Sequence, residues 1–510
     1  MAEIRPFRAY RYDTKRVRLE DVLTQPYDKI TPEMQEQYYA KSPYNLIAIE
    51  KGRALATDAP LAASSAASTS SGSTQRSKEA GRQGGTETSS ASSNASIASA
   101  VSAQDSNVYK RAAAKLEEWI AAKVLVQDAA PSIYVYAQEY LVPGTESRRT
   151  RIGFIALGRV EDYSAKVVFP HERTHTAPKA DRMELLRWMR AQTGQLFMLY
   201  DDSSRKIEHW LEEIAKKNAP LEMRDEFGVT HRLWPVAGAE VIKKIEAAMA
   251  EQKLVIADGH HRYETALNFR NEQRATAGKS DPQAAYEFAM MTFVNTHSKG
   301  LTILPTHRLV RGLEGFDFER FRKSVSPYFD WYSYPYRDAD ERAASYAEFR
   351  RDFEGVTHKR RGIGILSGMA QPQRSSSFSA PTAGVGSGAF YLFLLRKDVD
   401  LEQVLPDLSE AQRGLDVVLL HRVMLEKGLG ITAEAVEAEK FIGYQREMER
   451  AIQAVEQGEA QLACLLNPVR VEQVMEIALG GGVLPQKSTD FYPKLLSGET
   501  IYRIEGRVAE

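Results

Sequence analysis

The stretch Val255–Thr265 holds the densest chemistry in the sequence: an apolar run ends in Asp258-Gly259 and is followed at once by His260, His261 and Arg262. Leu254 to Ala257 predict a short buried strand and Gly259 a tight turn. Tyr263, Ala266, Leu267 and Phe269 predict the apolar side of a following helix. A helix that begins at such a turn aims unpaired backbone N–H groups, and the positive end of its dipole, at whatever lies above the strand. The histidines and Arg262 add side-chain donors, and a guanidinium can grip two anionic oxygens as a fork. Phosphate or other anion binding is the chemistry this pattern suits. The competing reading is an ordinary strand-turn-helix junction.

Other residues offer chemistry of different kinds. His171-Glu172-Arg173-Thr174-His175 matches H-E-x-x-H, which binds zinc when a helix turns both imidazoles to one side. Pro178 is expected to end any such helix within two turns, and the segment lacks an apolar stripe. His171, Arg173 and His175 are therefore read as loop contacts to a ligand, with a zinc-dependent hydrolase as an alternative. His297 and His307 stand near strand ends, where each is either a hydrogen-bonded structural histidine or a further ligand contact. Asp28, at the tip of the turn Gln25-Pro-Tyr-Asp28, and Glu172 are carboxylates of the type that orients an acceptor hydroxyl. The basic, aromatic segment Lys487–Lys494 follows Gly480-Gly-Gly482 and reads either as a closing segment or as a packed arm.

Bulk composition narrows the classes. At 510 residues, 43% hydrophobic and 26% charged, the chain is long enough for two or three domains with cores of their own. Lys plus Arg number 67 against 68 Asp plus Glu, so no global basic field recruits nucleic acid or an anionic membrane. The single cysteine, Cys464, lies in the apolar run Leu462–Leu466 and excludes a disulfide within the chain. No window approaches a membrane span, and Met1–Phe7 does not open a secretory signal, so a cytoplasmic address is expected.

The elements that must position these residues alternate in type. Residues 54–106 are rich in Ser and Ala, contain no aromatic residue, and are expected to form a disordered insertion. A second low-complexity loop is expected over 371–388. Helices are predicted over 107–124, from Asp181 to Arg190, and over 415–427, 444–457 and 469–479. The last is expected to have Asn467 as N-cap and Pro468 at its first position. Strands are predicted over 133–141 and 152–160 as a hairpin, and over 167–169, 288–294 and 301–304.

Taken together, Gln25–Ile30, His171–His175, Ile256–Ala266, Val294–His297 and Leu304–His307 resemble the family called domain of unknown function 1015. The turn Asp258–Tyr263 is more distantly similar to the phosphate-binding turn of the ParB/sulfiredoxin superfamily, which includes free-serine kinases. Sulfiredoxins carry a Gly-Cys-His-Arg turn, and His260 stands here in place of their cysteine, so sulfinic-acid repair is not implied. The resemblance implies an α/β (α+β) fold in which a mixed-sheet, ParB/sulfiredoxin-like part spans 1–53 and 107–310. A more helical part would span 311–510.

It further implies a serine-kinase-like phosphotransferase that uses ATP or ADP, with Mg²⁺, on a small hydroxylated metabolite. Gly259 to Arg262 would hold the phosphates, and His261 and Arg262 would stabilise the moving phosphoryl group. Asp258 would position His260 or a metal, and Asp28 or Glu172 would orient the hydroxyl. A regulatory module that binds nucleotide without catalysis is the alternative.

Overall fold

The computed structural model describes residues 2–55, 58, 107–172, 177–278, 281–357, 360–368 and 388–508. Most of the 54–106 insertion, nearly all of the 371–388 loop, and Arg173 and His175 lie outside the described residues. The fold is mixed α/β, built around two open sheets.

The larger sheet has nine strands. In spatial order they are Val168–Phe169, Leu254–Asp258, Leu196–Tyr200, Phe288–Asn295, Arg148–Arg159, Ile133–Leu141, Thr230–Val236 and Leu221–Arg224, with Ile4–Arg5 pairing off Arg148–Arg159. Leu196–Tyr200 runs parallel to Phe288–Asn295 and antiparallel to Leu254–Asp258, so the sheet is mixed at its centre. Strands there are apolar on both faces because helices cover both: all eight residues of Phe288–Asn295 are buried. The hairpin Ile133–Leu141 to Arg148–Arg159 forms as its alternation predicts.

The smaller sheet has six antiparallel strands, Phe329–Tyr336, Gly388–Leu395, Gly362–Ser367, Leu462–Leu465, His307–Val310 and Ile442–Gln445. Cys464 is buried in its centre, where burial pushes the thiol up to about 12. The chain then returns to the first sheet. Asp490–Tyr492 pairs with Thr302–Leu304, Ser497 bridges Thr24, and Tyr502–Arg503 pairs with Ala191–Gln192.

Asn107 caps the helix Val108–Ala121 by accepting the Lys110 N–H. Four expectations require correction. The helix expected from Asp181 starts earlier, at Ala177, with Pro178 in its first turn, where a missing N–H costs nothing. Asp181 instead binds the Tyr109 hydroxyl and Arg182. The segment 444–457 is not one helix: Ile442–Gln445 is a strand, and the helix is Met448–Glu456. The helix expected from Val469 starts at Val471 with Arg470 as N-cap, and 415–427 is a short α-helix running into a π-helical stretch, Leu420–Gly428. Among the described residues no helix is long and apolar enough to cross a membrane.

Candidate active site

Leu254–Asp258 delivers its apolar residues to the core and its last carboxylate to the surface of a cleft. Gly259 follows at φ +91°, a left-handed conformation that a side chain would strain, and the helix His260–Ala277 begins at the next residue. Gly259, His260, His261 and Arg262 all line the cleft, so the N-terminal turn of this 18-residue helix faces it. The cleft measures about 670 Å³ and lies between the two sheets. One wall is Tyr27, Asp28, Lys29 and the Asp258 turn. The other is Thr306, Tyr444 to Arg446 and the returning segment from Gln486 to Lys494.

The charges in the cleft interlock. Asp258 Oδ1 lies 3.4 Å from Lys494 Nζ, and its Oδ2 lies 3.3 Å from an Arg262 amino group. Asp490 joins Lys494 at 3.2 Å to Arg446 at 2.5 Å. Burial would raise the Asp258 carboxyl, but Lys494, Arg262 and Lys29 outweigh it and hold it well below the usual carboxylate range. Burial works against the Lys494 ammonium, yet Asp258, Asp490 and Asp28 raise it, so it stays charged. Lys29 is lowered, first by burial and then by Lys494.

Lys494 is held from behind. Arg151, fully buried with its guanidinium 4.7 Å from the centre of the Phe197 ring, donates to the Tyr492 carbonyl at 3.2 Å and to the Pro493 carbonyl at 2.5 Å. Gln138 donates to the Lys494 carbonyl at 2.8 Å. On the facing wall Arg308, also fully buried, donates to the carbonyls of Gln486 and Lys487 at 3.1 and 3.2 Å. The segment that reads from sequence as either an arm or a closing element is a clamped wall of the site.

Burial favours the neutral form of the two histidines buried beside the turn, His171 and His260. His171 Nδ1 lies 2.5 Å from the Ile256 carbonyl, so it carries the proton, and Nε2 accepts from the Thr489 hydroxyl at 2.8 Å. His260 Nε2 accepts the His171 backbone N–H at 3.3 Å. Burial lowers both imidazoles, His260 well below its ordinary value, so His260 adds no positive charge to the turn.

His171 and Glu172 lie outside any helix, and both ring nitrogens of His171 are engaged. His175, the motif's second imidazole, lies outside the described residues, and the described half of the motif is not set on a helix that would turn it to a metal. Glu172 Oε1 accepts the Lys487 N–H at 2.9 Å and so ties down the far wall, while Asp28 lines the cleft and is exposed. Arg262 is half committed: besides Asp258, it donates to the Gln195 carbonyl at 2.5 Å and braces the turn from below.

Two expected ligand contacts are elsewhere. His297 pairs with Asp201 at 2.7 Å on the surface. His307 is buried in the small sheet, where Nδ1 accepts the Leu466 N–H and burial lowers the imidazole to about 4. Neither lines the cleft. Sequence reasoning missed Lys29, Arg446, Asp490 and Lys494. Lys29 adjoins Asp28 and Lys494 closes the tail segment, but nothing local in the sequence signals that the two converge.

The chain belongs to the family described as Protein of unknown function (DUF1015), whose model matches residues 4–72 and 92–418. No curated protein matches it. Among solved structures, a conserved hypothetical protein from Pyrococcus furiosus is similar at 12% identity and TM-score 0.30, over 66% of this chain and 92% of that one. Free serine kinase variants in complex with AMP and with ADP are similar at 11% identity and TM-score 0.30, over 65% of this chain and 89% of theirs. At that level of likeness the function must be argued from the site itself.

Proposed function

We propose that the cleft binds the phosphates of ATP or ADP and moves the terminal phosphoryl group to the hydroxyl of a small metabolite, an amino acid such as serine being one candidate. One observation carries the reading. The first turn of a long helix, at the positive end of its dipole, shares one cleft with the ammonium groups of Lys29 and Lys494 and with the carboxylate of Asp28. Lys494 is fixed in place before any ligand arrives, which is what stabilisation of a charged transition state requires.

In the proposed step the acceptor oxygen attacks the terminal phosphorus, the bond to the bridging oxygen breaks, and the acceptor proton passes to Asp28. Asp28 suits that role better than Glu172, whose Oε1 is occupied by the Lys487 N–H. Among the described residues no group of three or more metal ligands is present, and Asp258 and Asp490 already hold cations. The residues therefore do not form a protein cage for Mg²⁺, and such an ion would enter with the nucleotide.

Incubating the protein with labelled ATP or ADP and a panel of hydroxylated metabolites tests the reading, with transfer of label expected. Lys494→Met is expected to weaken nucleotide binding by roughly tenfold or more. Unchanged affinity would remove the phosphate site. Asp28→Asn should keep binding and lose transfer. Tight binding with no transfer by the unaltered protein would favour the regulatory module.

A further inference from the structure

The C-terminal part carries a second concave surface, of about 830 Å³, that shares no lining residue with the cleft. Its walls are the approach to Gly362–Ser367, the exit from Gly388–Leu395, the helix Glu410–Arg413 and the N-terminal end of Val471–Leu479. Arg360, Arg361, Arg396, Lys397, Arg413 and Arg470 line it, against two acids, Glu410 and Glu476. In a chain whose net charge is −1 this excess is local.

Some of the charge is balanced nearby: Arg360 pairs with Asp330 at 3.3 Å, and Arg396 with Asp398 at 2.8 Å. Arg361, Lys397 and Arg413 make no ion pair among the described residues. Asp416, which interacts with Arg361, is pushed up to about 7 by burial and so supplies only part of a counter-charge. Like charges gathered in a concave surface repel one another, and a bound anion relieves that repulsion. Guanidinium groups suit phosphate oxygens in particular. No aromatic side chain lines the groove, so it offers bases nothing to stack on.

We propose that this groove binds a small, densely charged polyphosphate. The occupant needs several phosphate groups close together and no aromatic part. The proposal is independent of the nucleotide reading of the cleft.

Calorimetric titration with inorganic tripolyphosphate tests it. Lys397→Glu with Arg413→Glu is expected to weaken the groove's binding by roughly tenfold or more, with affinity falling as salt rises. The neutral pair Lys397→Gln with Arg413→Gln should show a smaller loss, which separates charge from misfolding. Lys494→Met should leave the groove's tripolyphosphate site intact. If Lys494→Met alone abolishes all tripolyphosphate binding, the groove proposal fails while the phosphate reading of the cleft stands. If the groove variants alone abolish it, the reverse holds. A short single-stranded RNA that binds the groove more tightly than tripolyphosphate would also overturn the proposal.

Discussion

Asp258 is where the electrostatics of the cleft balance, because its two oxygens face Lys494 and Arg262 while its backbone ends the strand. Its carboxyl is lowered in the folded protein, so it contributes stability that is present above the unfolded value of 3.8 and is lost as pH falls through the folded one. Asp258→Asn leaves two largely buried cations facing an amide, an expected loss of about 3 kcal/mol near pH 7. The difference between the two proteins should shrink as pH falls below about 3. Urea unfolding at both pH values measures it, and a difference that does not change with pH would show that the carboxylate charge is not what stabilises the turn. Asp258 was legible in the sequence because it sits beside its glycine. Its partner Lys494 was not, being 236 positions away and drawn in only by the folded chain.

Gly259 makes the same point for an element. The strand-turn-helix unit was readable because every signal in it is local: the apolar run, the glycine, and the helical spacing of Tyr263, Ala266 and Phe269. A Cβ at Gly259 would sit 3.1 Å from Arg262 Nε and 3.2 Å from Leu196 Cδ2, at a backbone angle that L-residues avoid. Gly259→Ala is therefore expected to cost about 1–3 kcal/mol and to push the Arg262 guanidinium off the Gln195 carbonyl. Equal stability in chemical denaturation, with unchanged phosphate affinity, would mean the turn has slack that this packing does not show. Elements with weaker local signals were misread. Ile442–Gln445 is too short for its alternation to stand out from the helix that follows, and Pro178 reads equally well as a stop or as a start until its neighbours are known.

At the scale of the whole molecule, the segment after Gly482 joins what the sequence presents as separate parts. It lines the cleft from Gln486 to Lys494, adds a strand to Thr302–Leu304, and buries Phe491, Leu495, Leu496, Ile501 and Tyr502 among residues from the first sheet and its flanking helices. No periodicity announces this role, because the segment makes its contacts as a strap rather than as a regular element; among its described residues the strands are two and three residues long. Those five side chains are largely apolar, and each contributes on the order of 1.5–3 kcal/mol by burial, comparable in sum to the net stability of a domain. A chain ending at Val483 should therefore lose more than its ligand site. Its calorimetric transition is expected to broaden or to fall by tens of degrees, because the first sheet loses its cover along with the carbonyls that Arg151 and Gln138 hold. If the shortened chain melts at the temperature of the intact one, the strap is a passive wall of the cleft that adds nothing to the stability of the first sheet.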